Sequence, residues 1–150
     1  MSGMDGLERL FAATALLFQV VLVSHFALRR WRFGIVARYG WIVYALSLPA
    51  AAVSVVLLQG GKPWWMWLGG FLYLVFGAFG YTVEYAWGIT TWRDPIRWSI
   101  LLPYVSLYLA TVMFYWWPLA QVSKPLWVVA AVLFVLHTVL NAASHHPTPT

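Results

Sequence analysis

The chain has no cysteine among its 150 residues, and only 9% of those residues are charged. The absence of cysteine excludes disulfide bonds, thiolate metal sites and thiol catalysis. Soluble proteins average about 25% charged residues, so this chain has too few charges for a water-facing surface. Its four acidic and nine basic residues give a net charge of +5. Few residues are left to form a basic face in water, so we predict no nucleic-acid partner.

Apolar residues dominate instead, with 63% hydrophobic and 19% aromatic residues. Five apolar runs approach or exceed the roughly 20 residues that a helix needs to cross a hydrocarbon core about 30 Å thick. Unpaired backbone groups cannot face lipid, and the runs lack the alternation of barrel strands. We therefore predict an all-α, polytopic integral membrane protein whose five spans form one bundle and one domain. The predicted spans are residues 10–28, 39–59, 64–87, 98–117 and 126–142, followed by a loose polar tail at 143–150.

The third run organises the prediction. It has 24 residues from Trp64 to Trp87, and Glu84 is its only charge. Gly70, Gly77 and Glu84 are seven residues apart, so they fall on one stripe of the helix. A glycine stripe lets a neighbouring helix approach closely. We expect the stripe to face protein and to carry Glu84 inward.

Helix ends and kinks are also marked. Gly88 suits the residue just past the end of the third span. Residues 94–95 (Asp-Pro) and 123–125 (Ser-Lys-Pro) are typical of the first residues of the fourth and fifth helices. Pro49 and Pro103 lie inside runs two and four, where each removes a backbone donor and predicts a kink.

The basic residues predict the orientation in the membrane. With five spans, one face receives Arg9, Lys62 and Lys124, and the other receives six arginines. The richer face is expected to be cytoplasmic, which puts the N-terminus outside and the C-terminus inside a cytoplasmic (inner) membrane. The eleven tryptophans all fall near predicted span ends, as in an aromatic belt.

Four of the arginines follow the first span and alternate with aromatic residues. They are Arg29, Arg30, Arg32 and Arg38. Basic residues beside a span attract anionic lipid headgroups by about 1 kcal/mol each. We predict headgroup contacts here; setting the topology alone is the favoured interpretation of these arginines, and both effects can hold together.

Polar residues converge at one depth. Odd-numbered spans run in the same direction, so His25, Glu84 and His137 lie at similar depth on the same side. Ionisable residues inside a membrane are costly, and this favours a functional role. Asn141 follows His137 by one turn, and tyrosines on neighbouring spans reach the same level. The predicted ligand-binding residues are His25, Tyr81, Glu84, Tyr104, His137 and Asn141, and Tyr44 could join them.

Each of these residues also has a purely structural interpretation. Glu84 could pair with Arg29, Arg30 or Arg93 at the interface. His25 could be an interfacial packing residue. His137 and Asn141 could join helices by hydrogen bonds.

We favour a non-catalytic binding or accessory component, because no reaction-specific constellation is present. It would hold an apolar or amphipathic ligand, such as a lipid, an isoprenoid or a porphyrin-like molecule, or dock on a larger membrane complex. One alternative is a membrane-embedded enzyme that acts on a lipid, with Glu84 and His25 or His137 as acid and base. Another is a haem-binding or proton-coupled transport protein. The two histidines could be axial ligands of a haem, or they could join Glu84 around a metal. A channel or transporter would need a homo-oligomer. The sequence specifies no cofactor.

One short segment resembles a known family. Residues 62–65 (Lys-Pro-Trp-Trp), the five spans, the size and the tryptophan content resemble the Trp-rich sensory, or translocator, proteins. That resemblance implies porphyrin or sterol-like ligands. In the family the segment follows the first helix and a proline pair succeeds it, whereas here it follows the second helix and Met66-Trp67-Leu68 succeeds it. The resemblance covers about six residues and carries over no site.

Overall fold

A computed structural model describes residues 3–89 and 96–144 of the chain. These residues are 87% helical and contain no strand, which confirms the all-α prediction. A π-turn at Thr82–Ala86 directly continues the fifth α-helix. The α-helices of the described residues are α1 (Gly6–Trp31), α2 (Phe33–Tyr39), α3 (Trp41–Ala45), α4 (Ser47–Gln59), α5 (Trp64–Tyr81), α6 (Trp98–Trp116), α7 (Leu119–Val122) and α8 (Lys124–Ser144).

Within the described residues, five helical segments are long and apolar enough to cross a membrane, and this indicates a membrane location. Each corresponds to one predicted run. They are Gly6–Trp31, Trp41–Gln59, Trp64–Ala86, Trp98–Val122 and Lys124–Ser144, called the first to fifth spans below. The fifth span runs through Ser144, so residues 143–144 are helical and do not belong to a loose tail. Residues 145–150 lie outside the described part of the chain.

The first span begins four residues earlier than predicted because its N-terminus is capped. The Asp5 carboxylate accepts a hydrogen bond from the backbone N–H of Glu8 at 2.8 Å, and the Glu8 carboxylate accepts one from the backbone N–H of Asp5 at 3.1 Å. This reciprocal capping box satisfies two backbone donors that the helix leaves open.

The second span is interrupted near its start, where α3 ends at Ala45 and α4 begins at Ser47. Pro49 lies in the first turn of α4, where its missing N–H costs little. The sequence predicts a kink at Pro49. The structure instead interrupts the span at Leu46, and Pro49 lies in the first turn of α4, just after that interruption. Pro103 lies inside α6, as expected from the sequence.

The third span packs against the second through the glycine stripe, as predicted. A Cβ on Gly70 would lie 2.1 Å from the Ser54 hydroxyl, and a Cβ on Gly77 would lie 2.4 Å from the Ser47 hydroxyl. Only glycine permits this approach of the two backbones. The third span also packs against the fourth, while the first span packs mainly against the fifth. The first and third spans are the most buried, so both occupy the centre of the bundle.

The end of the third span differs from a simple helix stop. The α-helical ladder widens into the π-turn, in which the N–H of Trp87 donates to the carbonyl of Thr82 at 2.9 Å. Gly88 then adopts a positive φ of 64°, so it ends the span as predicted. Residues 94–95 lie outside the described part of the chain. Ile96 and Arg97 precede the fourth span, which begins at Trp98.

The two ends of the bundle are chemically different. At one end, Lys62 of the connection between the second and third spans forms ion pairs with Asp5 and Glu8 of the first span. The N-terminus and this connection therefore share one end, as span counting requires. The opposite end holds the cavity described next.

Candidate functional site

A cavity of about 440 Å³ opens at the end of the bundle opposite Lys62. Side chains from all five spans and from α2 line it, and most of them are aliphatic or aromatic. Small-ligand pockets typically measure about 300–1,000 Å³ and combine such a lining with a few polar groups. The polar or ionisable lining residues are His25, Arg29, Tyr44, Glu84, Tyr85, Tyr104, Tyr108, Thr138 and Asn141.

Glu84 is the centre of the polar part of this cavity. The Tyr104 hydroxyl donates to Glu84 Oε1 at 3.4 Å, and the hydroxyls of Tyr104 and Tyr44 are hydrogen-bonded to each other at 2.8 Å. Arg29 lies close enough to attract the Glu84 carboxylate. Of the three arginines proposed from the sequence to pair with Glu84, Arg29 shares its cavity. Arg93 is outside the described residues.

Glu84 lies in the π-turn at the end of the third span. Glu84 is the middle residue of Thr82–Ala86, and the wider turn shifts side chains relative to a regular α-helix. Val83, the preceding residue, is fully buried, and Tyr85 lines the cavity beside Glu84. Single π-turns inside α-helices are frequent at functional sites. Here the carboxylate of Glu84 lines the cavity at the very end of a span.

The two histidines have different environments. His25 lines the cavity one turn before Arg29. His137 is fully buried and is not among the lining residues. Its Nδ1 is hydrogen-bonded to the Tyr108 hydroxyl at 3.0 Å, and its Nε2 has no partner among the described residues. His137 thus supports the cavity wall through Tyr108 and joins the fourth and fifth spans, as its structural interpretation proposes.

Four of the six predicted ligand-binding residues share the cavity: His25, Glu84, Tyr104 and Asn141. Tyr81 does not reach it, because its side chain is 49% exposed and stacks on Tyr85 at a ring distance of 5.5 Å. Tyr81 lies one residue before the π-turn and faces outward.

The four arginines that are predicted to contact lipid headgroups also lie in different places. Arg29 lines the cavity near Glu84. Arg32 lies at the junction of α1 and α2, and the Arg38 guanidinium lies 5.3 Å from the centre of the Tyr39 ring. Arg30, like Arg32 and Arg38, is outside the cavity lining. The headgroup contacts of Arg30, Arg32 and Arg38 stay a prediction.

The described residues do not form a metal centre of the kind considered from the sequence. No group of three or more histidine, aspartate or glutamate side chains among them is placed to hold a metal ion. His25, Glu84 and His137 therefore do not surround a common metal position. Axial ligation of one haem by both histidines would require both rings to face one cavity, and only His25 lines this one.

Two buried polar features escaped the sequence reasoning. Tyr108 supports His137, and Gln19 is a fully buried amide in the first span. A signal for Tyr108 exists, because Tyr104, Tyr108, Thr111 and Tyr115 follow one another at spacings of four, three and four residues. That spacing predicts one hydroxyl-bearing face on the fourth span.

The fold and its cavity define a class, a five-span helical membrane protein with a polar-ended internal cavity. No protein-family model, curated protein or solved structure matches the chain. The resemblance at residues 62–65 therefore remains one of sequence over about six residues.

Proposed function

We propose that this protein is a non-catalytic membrane component that binds an amphipathic small molecule in the cavity. The carrying observation is the cavity itself, about 440 Å³ in volume, with a mostly apolar lining and polar groups gathered around Glu84. The apolar part of a ligand would lie against side chains such as Phe26 and Phe76. Its polar end would meet Glu84, Tyr104 and their neighbours.

The arrangement of the polar groups favours binding over catalysis. Tyr44, Tyr104 and Arg29 already surround the Glu84 carboxylate, so it is held in place by partners. A general acid–base pair would need a second titratable group aimed at the same reacting atom. His25 shares the cavity and keeps the enzyme alternative open to test, whereas His137 is engaged by Tyr108 outside the lining.

The first test is identification of what the protein retains. After purification in mild detergent, mass spectrometry of the extracted small molecules should find one amphipathic species at close to one per chain. Tyr104→Phe removes the hydroxyl that bonds both Glu84 and Tyr44, so we expect about tenfold weaker retention, equivalent to about 1.4 kcal/mol.

The matched control is Tyr81→Phe, the same substitution on a side chain outside the cavity. It should leave retention unchanged. A parent protein that retains no small molecule would contradict the proposal and favour an accessory subunit that docks on a larger complex. A Soret band in its absorption spectrum would favour haem, and turnover of a retained lipid that is lost in Glu84→Gln would favour the enzyme.

We further propose that the protein lies in the cytoplasmic membrane with the cavity end inward. In support, Arg29, Arg30, Arg32 and Arg38 all lie at or near the cavity end. Excess arginine and lysine is typical of cytoplasmic loops. The N-terminus, paired with Lys62 at the other end, would then be outside and the C-terminus inside.

A further inference from the structure

We infer that the cavity takes a single-chain amphiphile with an uncharged, hydrogen-bonding head, and that this molecule enters sideways from the bilayer between the fourth and fifth spans. The inference rests on the proposed binding function and specifies its ligand class and its access route. Three observations carry it: a side opening, the depth of that opening and the balance of charge inside.

The side opening follows from residues that face two environments at once. Val105 and Leu109 line the cavity, yet their side chains are 40% and 45% exposed. Across from them, Thr138 of the fifth span also lines the cavity and is exposed. Exposed lining residues border the openings of the cavity: Phe33 and Tyr85 border its end, and Val105, Leu109 and Thr138 border its side. Because the last three residues lie within the spans, the medium outside the side opening is lipid.

The packing of the two spans explains why the opening is there. The fourth and fifth spans are the least buried of the five. They meet at the end near their connection, where Trp116 stacks on Trp127 at 5.4 Å, and again through Tyr108 and His137. Leu101, Val105 and Leu109 form one face of the fourth span at a spacing of four residues, and Leu101 and Val105 lie on the cavity side of the Tyr108–His137 contact. Phe134 and Thr138 of the fifth span line the same cavity.

The depth of the opening fits a lipid of one leaflet. Leu101 and Leu109 are eight residue steps apart, or about 12 Å along a helix. Half of a hydrocarbon core is about 15 Å. Leu109 lies near the middle of the fourth span, and Glu84 lies near the end of the third. A single-chain amphiphile can therefore keep its head at the membrane surface, next to Glu84, and its hydrocarbon tail along the opening.

The charges inside the cavity favour an uncharged head. Arg29 and Glu84 attract each other, and their opposite formal charges cancel. Within the lining, a phosphate head would bring negative charge beside the Glu84 carboxylate with only Arg29 to balance both, because Arg30, Arg32 and Arg38 lie outside the lining. A hydroxyl or carbonyl head can instead use the neutral donors and acceptors of Tyr104, Thr138 and Asn141.

The experiment uses two photoreactive probes that differ only in the head. A monoacylglycerol and a lysophosphatidic acid of equal chain length, each with a diazirine halfway along the chain, are added to the purified protein in phosphatidylcholine nanodiscs. We expect saturable labelling by the monoacylglycerol, mapped by mass spectrometry to residues 101–109 and 134–141. The lysophosphatidic acid should bind about tenfold or more weakly. Equal affinity for both probes would overturn the uncharged-head assignment.

Access is tested by narrowing the opening. Val105→Trp should slow labelling about tenfold, because the larger side chain occupies the gap facing lipid. The matched control is Leu102→Trp, at a position that is 58% exposed and does not line the cavity, and it should label like the parent. Thr138→Trp, on the facing span, gives an independent second variant.

The outcomes separate the route from the binding function. If Val105→Trp and Thr138→Trp both label at the rate of the parent protein, and labelling remains saturable, the side route is overturned and the proposed function stands. If neither probe gives saturable labelling but the protein retains another small molecule, only the proposed ligand class is overturned. Absence of both labelling and retention would overturn the proposed function and the inference together.

Discussion

At the scale of single residues, Lys62 joins two distant parts of the chain. Its ammonium group forms ion pairs with Asp5 and with Glu8, the latter at 3.1 Å, at the N-terminus of the first span. The same two carboxylates form the capping box of that helix. One lysine therefore holds the start of the first span against the connection between the second and third spans.

The pH dependence of this contact follows from the two pKa shifts. The hydrogen bond from Lys62 lowers the pKa of Asp5 below 3.8, and the hydrogen bond to Asp5 raises the pKa of Lys62 above 10.5. The contribution of Asp5 is present above its unfolded pKa and is lost as pH falls through the lowered folded value. The contribution of Lys62 is present below its unfolded pKa and is lost as pH rises through the raised folded value. The contact therefore stabilises the fold between about pH 4 and pH 10.

We predict that Lys62→Gln lowers the thermal unfolding midpoint in detergent by a small, constant amount between about pH 5 and pH 9. The difference from the parent should shrink in high salt, because exposed ion pairs are screened. It should also vanish once Asp5 is protonated. Lys124→Gln is the matched control, since the described residues give Lys124 no ion pair. A difference that persists unchanged in acid would contradict the ion-pair explanation.

At the scale of helices, the contact between α4 and α5 depends on small residues on both sides. Gly77 faces Ser47 and Gly70 faces Ser54, so the two helices run antiparallel with both pairs in register. A Cβ on Gly77 would also lie 2.8 Å from the carbonyl oxygen of Tyr44. A backbone oxygen cannot move aside as the tip of a flexible side chain can.

We predict that Gly77→Leu disrupts this contact and lowers stability by at least the 1–3 kcal/mol that is typical of overpacking. The neighbouring substitution Ala78→Leu adds a similar volume at an exposed position of the same helix, so it should leave stability nearly unchanged. Thermal unfolding in detergent measures both. Equal midpoints for Gly77→Leu and Ala78→Leu would contradict the assignment of this helix face.

The sequence predicts correctly those features that depend on the length of an apolar run or on the spacing of residues along a helix. The five spans follow from run length, the Gly70–Gly77 contact follows from a seven-residue repeat, and the common depth of His25 and Glu84 follows from the direction of the odd-numbered spans. The sequence also marks the helix face that packs against the glycine stripe, because Ser47 and Ser54 are also seven residues apart.

The rest depends on local backbone geometry and on rotation about helix axes. The π-turn changes the helical period at Thr82, and no residue type specifies such a turn. Tyr81, just before this turn, faces outward, while Glu84 within it lines the cavity. His137 was expected at the correct depth, but the rotation of the fifth span turns it towards Tyr108 instead of the cavity.

At the scale of the whole molecule, the two ends of the bundle make the orientation testable. The cavity end is rich in arginine, and the other end is held together by the Lys62 ion pairs. The chain has no native cysteine, so a single introduced cysteine reports one end without background. Gly34 and Gly3 suit this purpose, because a Cβ at either position would have no other atom within 4 Å. Gly61 is unsuitable, since its φ of 69° would strain any other residue.

We predict that Gly3→Cys reacts with a membrane-impermeant thiol reagent in intact cells, and that Gly34→Cys reacts only after the membrane is permeabilised. The physical reason is that translocating the arginine-rich connection across the membrane is unfavourable, so this connection stays in the cytoplasm. Both variants should label equally in detergent, which controls for intrinsic thiol reactivity. Labelling of Gly34→Cys but not Gly3→Cys in intact cells would reverse the orientation. The cavity would then open at the outer leaflet, and its amphiphile would have to be drawn from that leaflet.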